Sequence, residues 1–590
     1  MIKKRQAAFI NYGKHSLVFR MWRNRVQGAI KTAKRSYYDS KVDGLAETNP
    51  KKWWQDIKSL TGQDIFSKHE WHHQLLNDTI NSPVLLAAQI NDFFTSITHE
   101  FEPLTQVQTP PNVISSDLLV SLEEVSSDLL KLPTQKAVGL DGISNKLLKE
   151  FAPELAPLIQ DIYNQSLREG FVLDTLKQSI ITPVPKVCPP QDVKSDLTPI
   201  ALTSCLAKVL EGFTNKRLLR QMSDTIDPRQ YARHGHSTVH ALIYLMQAIH
   251  ESIDSGNYSV RIFFADFTKG FDIIDHSVLL DELKSFDIDQ TLFFWVRSFL
   301  TNRVQAVRVG SSLSSWKQVN GGVPQGTKLG LTLFAVMINK LLRNWHMRSK
   351  YVDDTTAIEI IPRNSISILD LVVREIHDYC IEHKMKLNPK KCKEMYINFM
   401  TNSVTSLQPI CVGNKEVERV GTYKLLGVII SDDLKWNAHV EYVIAKAAKR
   451  LFALRLLKRA GVMPKDILKV YLCNVRSVLE YAAQVWQDIP AYLSDAIESI
   501  QRRALRIIFP NSSYQQALDL TNLSTLANRR ILLCKKLMAD MRDESHPISF
   551  LAPKVTTRNI PYQLRSGNTT APKTMKRTKR ANDFFTFRFA

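Results

Sequence analysis

Asp353 and Asp354 stand side by side in Tyr351-Val-Asp-Asp354, between apolar and β-branched neighbours. The surrounding pattern, Met347 to Ile361, predicts a strand on each side of a tight acidic turn. Two adjacent carboxylates repel each other, and a hard divalent cation such as Mg²⁺ relieves that repulsion through oxygen ligands. A solvated Asp-Asp hairpin turn is the other reading, and the pair alone does not choose between them. Asp266 supplies a third carboxylate. It closes Val260-Arg-Ile-Phe-Phe-Ala-Asp266, a nearly continuous apolar run of buried-strand type. Set beside the acidic turn in one sheet, it would complete a set able to hold two Mg²⁺ ions, one activating a nucleic-acid 3′-hydroxyl and the other steadying a triphosphate leaving group.

The elements that must position these groups follow from the hydrophobic periods. Gln178–Lys186 reads as a β-branched strand ended by prolines, and helices fit 204–222, 237–254, 276–286 and 290–301. A strand fits 303–310, and Gly321–Gly326 is a turn expected to lead into a helix over 328–343. A helix at 365–386 and short strands near 395–399, 409–412 and 417–430 follow the acidic hairpin, and helical patterns dominate 436–545. Upstream, a helix fits Pro83–His99, a looser linker contains Thr109-Pro110-Pro111, and Ser121–Pro133 carries a capping-box pattern ahead of a short apolar face.

The chain has 590 residues, 44% of them apolar and 23% charged, an ordinary globular balance with room for several domains. Its net charge of +21 points to a polyanionic partner or an anionic surface, with solvated basic faces kept for solubility as the alternative. The excess sits at the ends, about +10 over residues 1–60 and about +14 over 431–590, with a centre near neutral. Residues 14–58 interleave Arg and Lys with Trp22, Tyr37, Tyr38, Trp53 and Trp54. That mixture suits a nucleic-acid backbone with stacking bases and equally suits an amphipathic helix docked on a neighbouring domain. The seven cysteines show no CxxC pair and no zinc spacing, and read as reduced, mostly buried thiols of an intracellular protein. No run reaches the ~18 apolar residues of a membrane span, so no membrane partner is expected.

Phe264-Ala-Asp-Phe-Thr-Lys-Gly-Phe-Asp-Ile-Ile-Asp-His276, Gly322-Val-Pro-Gln-Gly-Thr-Lys-Leu-Gly330 and Tyr351-Val-Asp-Asp354, in that order and spacing, resemble the palm motifs of reverse transcriptases, in the version of non-LTR (LINE-type) retrotransposons. Residues 137–143, 180–186, 196–202, 230–242, 387–393 and 423–427 resemble that family's flanking motifs. The resemblance implies an RNA-directed DNA polymerase, a nucleotidyltransferase taking dNTPs, an RNA template and a DNA primer or target. Asp266, Asp353 and Asp354 match the catalytic metal triad, served by two Mg²⁺ ions or by Mn²⁺. Phe271 matches the bulky gate against a ribose 2′-hydroxyl, with a core aromatic as its alternative. Gln325 and Gly326 match the turn against the incoming nucleotide and template base. Lys186 and Lys391 match cations near the triphosphate and the leaving group, or are solvated surface lysines. Leu425, Leu426 and Gly427 match the hairpin that grips the primer end.

The implied fold is α+β, a right-hand polymerase with fingers, a palm with a mainly antiparallel sheet, a helical thumb, and helical N- and C-terminal extensions. The expected divisions are a basic helical extension and linker at 1–115, a family-specific extension at 116–167, the reverse transcriptase domain at 168–430, a helical thumb and C-terminal region at 431–545, and a basic flexible tail at 546–590. Lys446, Lys449, Arg450, Arg455, Lys458 and Arg459 would line the primer–template duplex. Three positions depart from the family pattern: Thr198 where Arg is usual, Gly270 for Ala, and Leu331 for Pro. An Arg could clamp triphosphate oxygens bidentately, and Thr lacks its charge. The short N-terminal stretch leaves no room for the family's endonuclease, so a truncated element product is expected, with a separate endonuclease as partner and nucleus and cytoplasm as its location. A catalytically weakened or silent nucleic-acid-binding relic is the alternative. An intron maturase or telomerase-type enzyme fits the palm but not the basic Trp-Trp start or helical end.

Overall fold

The computed structural model describes residues 1–42, 49–60, 71–76, 82–105, 114–187, 189–401, 407–553 and 576–589. The linker expected at 109–111, Cys188 and residues 554–575 of the basic tail lie outside the described residues. The chain divides into two compact units, one of Met1–Ser67, Leu242–Ser255 and Thr422–Ala590, the other of Lys68–Ala241 and Gly256–Gly421. Helix Pro83–Ser96 packs within the second unit, because Leu86, Ala87, Ile90 and Phe94 form one apolar stripe against Ile181, Val307 and Val309. No helix is long and apolar enough to cross a membrane among the described residues.

The second unit is mixed helix and sheet. Its strands are β1 (Gln178–Pro185), β2 (Leu197–Leu202), β3 (Tyr258–Ala265), β4 (Val304–Val309), β5 (Ser312–Leu313), β6 (Lys317–Gln318), β7 (Arg348–Tyr351), β8 (Asp354–Pro362), β9 (Lys393–Ile397), β10 (Cys411–Val412), β11 (Lys415–Glu416) and β12 (Glu418–Arg419). One sheet runs β2-β1-β4-β5 with β6 also on β4, and a second runs β12-β9-β3-β8-β7. The second is antiparallel except for the β12–β9 pair. β3 is its centre, and seven of its eight residues are buried because helices and neighbouring strands cover both faces. Arg261 sits inside that strand, fully buried, and its guanidinium donates to Glu394 at 2.9 Å, to Ser367 at 2.8 Å and to the Gln408 carbonyl at 2.6 Å. A charge in a buried strand persists only when it is paired and hydrogen-bonded in this way.

Some elements differ from the sequence reading. The helix expected over 328–343 spans only Gly330–Met337, and tight turns with Leu342 at φ +54° follow it. Ser121 caps helix Leu122–Leu130 by accepting from Glu124 N–H, but no capping box closes. Glu124 spends its carboxylate on Arg217 instead, at 3.0 and 3.3 Å. Of the cysteines, 205, 380, 392 and 534 are buried free thiols, while 411 and 473 are exposed.

Among its described residues the first unit is helical apart from the hairpin of β13 (Thr422–Leu425) and β14 (Val428–Ser431). Helix Asn437–Ala460 packs on Ala491–Ile508 and on the N-terminal helices Leu17–Val42 and Pro50–Leu60. Trp53 is buried in that arrangement, which favours docking over base stacking for this ring. Residues 576–589 of the expected flexible tail are folded. Helix Lys579–Asp583 has its first turn met by Asp254, which accepts from Arg577 N–H, Thr578 N–H and the Thr578 hydroxyl, and Phe584, Phe585 and Phe587 are buried. The three aromatics supply the apolar area that composition, dominated by Lys and Arg, concealed.

Candidate catalytic site

Register brings the carboxylates together. In the β3–β8 pair Ala265 lies opposite Thr355, so the next residues, Asp266 and Asp354, face each other just beyond the ladder. In the β3–β9 pair Phe264 lies opposite Lys393, and the same alternation carries Lys391 to Asp266. Lys391 Nζ is 3.6 Å from Asp266 Oδ2, an atom that is buried and has no hydrogen-bond partner. Asp266 is fixed through its backbone, its N–H donating to Cys392 Sγ at 3.4 Å and its carbonyl accepting from Asn388 N–H at 2.8 Å.

Tyr351 pairs with Asp354, leaving Val352 and Asp353 as a two-residue hairpin loop. Val352 has φ +56°, a conformation costly for a β-branched side chain. The surroundings hold it there. Gln230 Oε1 accepts the Val352 N–H at 3.3 Å, and the segment at 229–231 pairs with Lys350 through Lys350 N–H to the Arg229 carbonyl and Tyr231 N–H to the Lys350 carbonyl. Lys350 is itself fully buried. Its ammonium donates to the Ile338 carbonyl at 2.8 Å and the Asn339 carbonyl at 3.1 Å and lies 2.7 Å from Asp227 Oδ2, while Arg348 clamps both Asp227 oxygens at 2.8 and 2.9 Å. Burial would push the Asp227 carboxyl up, but Arg348 and Lys350 bring it down to about 2. Sequence reasoning missed this brace. Its signal was two cations two residues apart on one face of β7, in a strand whose other side chains pointed to burial.

Electrostatics set the three carboxylates apart from ordinary surface acids. Burial, then the charges of Asp353 and Asp266, push Asp354 up to about 6. Burial also raises Asp353, and it raises Asp266 against the pull of Lys391. A set of acids that resist ionising together is suited to a cation, and all its donors are hard carboxylate oxygens with one orphaned buried Oδ2 among them. The residues fit a divalent metal in donor chemistry. Among the described residues, however, no group of three or more His, Cys, Asp or Glu is already drawn close enough to hold an ion.

The Gly321–Gly326 turn is clamped between two backbones. Gly322 N–H donates to the Ile274 carbonyl at 2.7 Å and Val323 N–H to the Phe271 carbonyl at 2.9 Å, while a Cβ on Gly322 would come within 2.8 Å of the Asp272 carbonyl oxygen. On the other side Ala201 N–H of β2 donates to the Gln325 carbonyl at 2.8 Å, and a Cβ on Gly326, at φ +126°, would sit 2.6 Å from the Ala201 carbonyl oxygen. Gln325 turns its side chain inward and donates to Asp272 at 2.9 Å. Phe271 is half-buried and stacks on Phe334 at 4.7 Å. Gly270 has no room to spare, since a Cβ would lie 3.2 Å from the Phe334 ring.

The cations divide. Lys186, at the exposed end of β1, donates to the Ser195 carbonyl and acts on both Asp266 and Asp272 at a distance. Thr198 pairs with Val184 in β2. In the first unit, Leu426 and Gly427 form the β13–β14 turn at φ +45° and +89°, and the Leu426 carbonyl accepts from the Tyr481 hydroxyl at 2.8 Å with Leu425 buried beneath. Lys446, Lys449, Arg455 and Arg459 are exposed on helix Asn437–Ala460. Arg450 and Lys458 instead donate to the Asn474 and Ile508 carbonyls, so these two are structural ties within the unit.

Residues 185–430 match the reverse transcriptase (RNA-dependent DNA polymerase) family. The chain is 26% identical over 440 residues to the probable RNA-directed DNA polymerase from transposon BS of Drosophila melanogaster, covering 72% of this chain and 48% of that protein. It is 25% identical over 447 residues to the RNA-directed DNA polymerase from mobile element jockey of Drosophila funebris, again 72% and 48%. A retrovirus-related Pol polyprotein from type-1 retrotransposable element R1 of Bradysia coprophila is 24% identical, covering 68% of this chain and 40% of that protein. A solved telomerase from Candida albicans, in complex with a TWJ fragment of telomeric RNA, aligns over 60% of this chain and 68% of that one at 12% identity and a TM-score of 0.33. The chain is thus similar to the polymerases of non-LTR retrotransposons, and it spans about half the length of the curated relatives it matches.

Proposed function

We propose that the chain is an RNA-directed DNA polymerase that adds dNTPs to a primer 3′-hydroxyl on an RNA template. The observation that carries this reading is the register placing Asp266 opposite Asp354 and beside the strained Val352-Asp353 loop, with Asp266 Oδ2 buried and unbonded. In this reading the β12-β9-β3-β8-β7 sheet is the palm, the β1-containing sheet belongs to the fingers, and the helices after residue 431 are the thumb. Asp266, Asp353 and Asp354 would hold divalent metal, Mg²⁺ or Mn²⁺. Bound there, the metal would supply Lewis-acid activation of the attacking hydroxyl and neutralise charge on the leaving group.

The remaining roles fall to the chain's own side chains. Phe271, backed by the Phe334 ring, presents a bulky edge that excludes a 2′-hydroxyl and so selects dNTPs. Gln325, tied to Asp272, and Gly326, pressed on Ala201, form a rigid floor for the nascent base pair. Lys391 offsets the charge of Asp266 and Lys186 offers a mobile cation to phosphate oxygens. The Leu425–Gly427 turn would hold the primer end, and Lys446, Lys449, Arg455 and Arg459 would meet the phosphates of the duplex.

The test is dNTP incorporation by the purified chain on a primed RNA template with Mg²⁺. Extension that Asp353→Asn abolishes is expected, and extension that survives this substitution sinks the metal-site assignment. A wild-type chain that binds primer–template but extends nothing would leave the silent relic, for which the uncharged Thr198 in β2 argues.

A further inference from the structure

Lys269 is three residues beyond Asp266, in the turn that leaves β3, and nothing in the roles above uses it. Its backbone is in the left-handed region at φ +51°, fixed by Asp272 N–H and Ile273 N–H, which both donate to the Lys269 carbonyl at 2.8 and 3.0 Å. That backbone sets the direction of the Cα–Cβ bond, and the side chain runs to Phe93, whose ring centroid lies 3.9 Å from Lys269 Nζ. The ammonium is half-buried and, among the described residues, makes no ion pair and no hydrogen bond. Burial lowers its pKa to about 8 against the attraction of Asp272, and Lys186 adds to the fall.

The Lys269 ammonium has an aromatic face in contact and the Asp272 and Asp192 carboxylates only at a distance, so a half-buried cation is left with room for an anion beside it. Its aromatic partner is held firmly. Phe93 belongs to helix Pro83–Ser96, whose Asn91 is fully buried, donates to Ser314 Oγ at 3.1 Å and the Ser315 carbonyl at 3.0 Å, and accepts from Gln305 at 3.1 Å. Lys186, at the end of β1, acts on both Asp266 and Asp272, and Lys269 acts on Asp272, so two lysines from different elements meet at the Asp272 side of the carboxylates. Two cations beside carboxylates that favour a divalent metal define a place for a metal–polyphosphate rather than for a free metal.

We propose that Lys269, steadied by Phe93, binds the triphosphate of the incoming nucleotide and the pyrophosphate that leaves. This rests on the polymerase reading and adds a phosphate-binding residue to it. It also makes helix Pro83–Ser96, which lies ahead of the matched residues 185–430, part of the active site, with Phe93 as a positioning residue. Phe93 touches no phosphate. It holds the ammonium where a polyphosphate meets it, so its loss acts through Lys269.

The experiment uses the full chain in two assays. Calorimetric binding of inorganic tripolyphosphate with Mg²⁺, without primer or template, should weaken about tenfold in Lys269→Met and about threefold in Phe93→Leu, with Lys269→Arg restoring most of the loss. In primer extension the same variants should raise the KM for dNTP and weaken pyrophosphate inhibition by matching factors while kcat changes less. Thermal melts accompany each variant, because a purely structural clamp would lower Tm and leave tripolyphosphate affinity unchanged, and that result overturns the proposal. Extension with an unmoved KM in Lys269→Met also overturns it while the polymerase reading stands. Lys269-dependent tripolyphosphate binding in a chain without extension keeps the phosphate site and rejects the polymerase reading.

Discussion

Asp266 faces Asp354 across β3 and β8, one step past the paired residues Ala265 and Thr355. The two acids share a place where burial and mutual repulsion disfavour charge, and Asp354 is pushed up to about 6 from an ordinary 3.8. A carboxyl raised in the fold stabilises it below the unfolded pKa, and that contribution is lost as pH rises through the folded pKa. Between about pH 4 and pH 6 the wild type should therefore lose stability that Asp354→Asn keeps. The variant should melt higher at pH 7 and level with wild type at pH 4. Partial exposure of Asp354 limits the gain to under about 1 kcal/mol. Mg²⁺ should raise the wild-type Tm more than the variant's. A variant that gains equally at both pH values would place the strain elsewhere.

The Gly326 position makes a steeper prediction. An alanine there must hold φ near +126° and push its Cβ into the Ala201 carbonyl oxygen, a backbone atom held in β2. Gly326→Ala should cost about 2–3 kcal/mol and reduce extension at least tenfold by prising the turn from β2. Urea unfolding and primer extension on one preparation would check both. Gly28 serves as the control, since a Cβ there meets nothing within 4 Å inside helix Leu17–Val42, and Gly28→Ala should raise stability by up to about 1 kcal/mol instead of lowering it.

Phe334 is fully buried and gives Phe271 its backing. Phe334→Leu should let the Phe271 ring withdraw, raising rNTP incorporation relative to dNTP several-fold for about 1–2 kcal/mol of lost stability. Gly270→Ala presses on the edge of the Phe334 ring and should cost about 1 kcal/mol without opening the gate. Competition assays with rNTP and dNTP separate the two. Equal discrimination in wild type and Phe334→Leu would remove Phe334 from the gate.

Lys350→Met removes the ammonium that ties the Ile338 and Asn339 carbonyls to Asp227. With two carbonyls unsatisfied and one partner of Asp227 gone, a loss of about 3 kcal/mol is expected, and the Val352 loop should relax with it. The acid limb of stability should change too. Asp227, lowered to about 2, contributes stability above its unfolded pKa that is lost as pH falls through the folded one, and the variant should surrender it at higher pH. A wild-type acid limb in Lys350→Met would show that Arg348 alone sets the Asp227 pKa.

Much of the site is legible in the amino-acid sequence, for a physical reason. Apolar runs predict β3 and β8, and a tight turn between strands predicts the loop, so the three aspartates fall at strand ends that a two-residue period can locate. Their likeness to polymerase motifs added the order in which those ends must meet. The brace behind them was legible only in its two cations on one face of β7, because Asp227 and Gln230 are joined to Lys350 by no local period. The carbonyls that Arg450 and Lys458 serve were not legible, because composition reports a charge and not its partner. Phe93 and Lys269 are 176 positions apart, and only the packing of helix Pro83–Ser96 joins them.

The interleaved make-up of the two units bears on how the chain is synthesised. The second unit has all of its sequence by Gly421, so its sheets can close while later residues are still being added. The first unit cannot finish then. Asp254 waits for Arg577 and Thr578, more than 320 residues downstream, and so the helix bearing Asp254 spends most of translation without its final partners. A ribosome stalled between these points would carry one completed unit and one that is still in pieces.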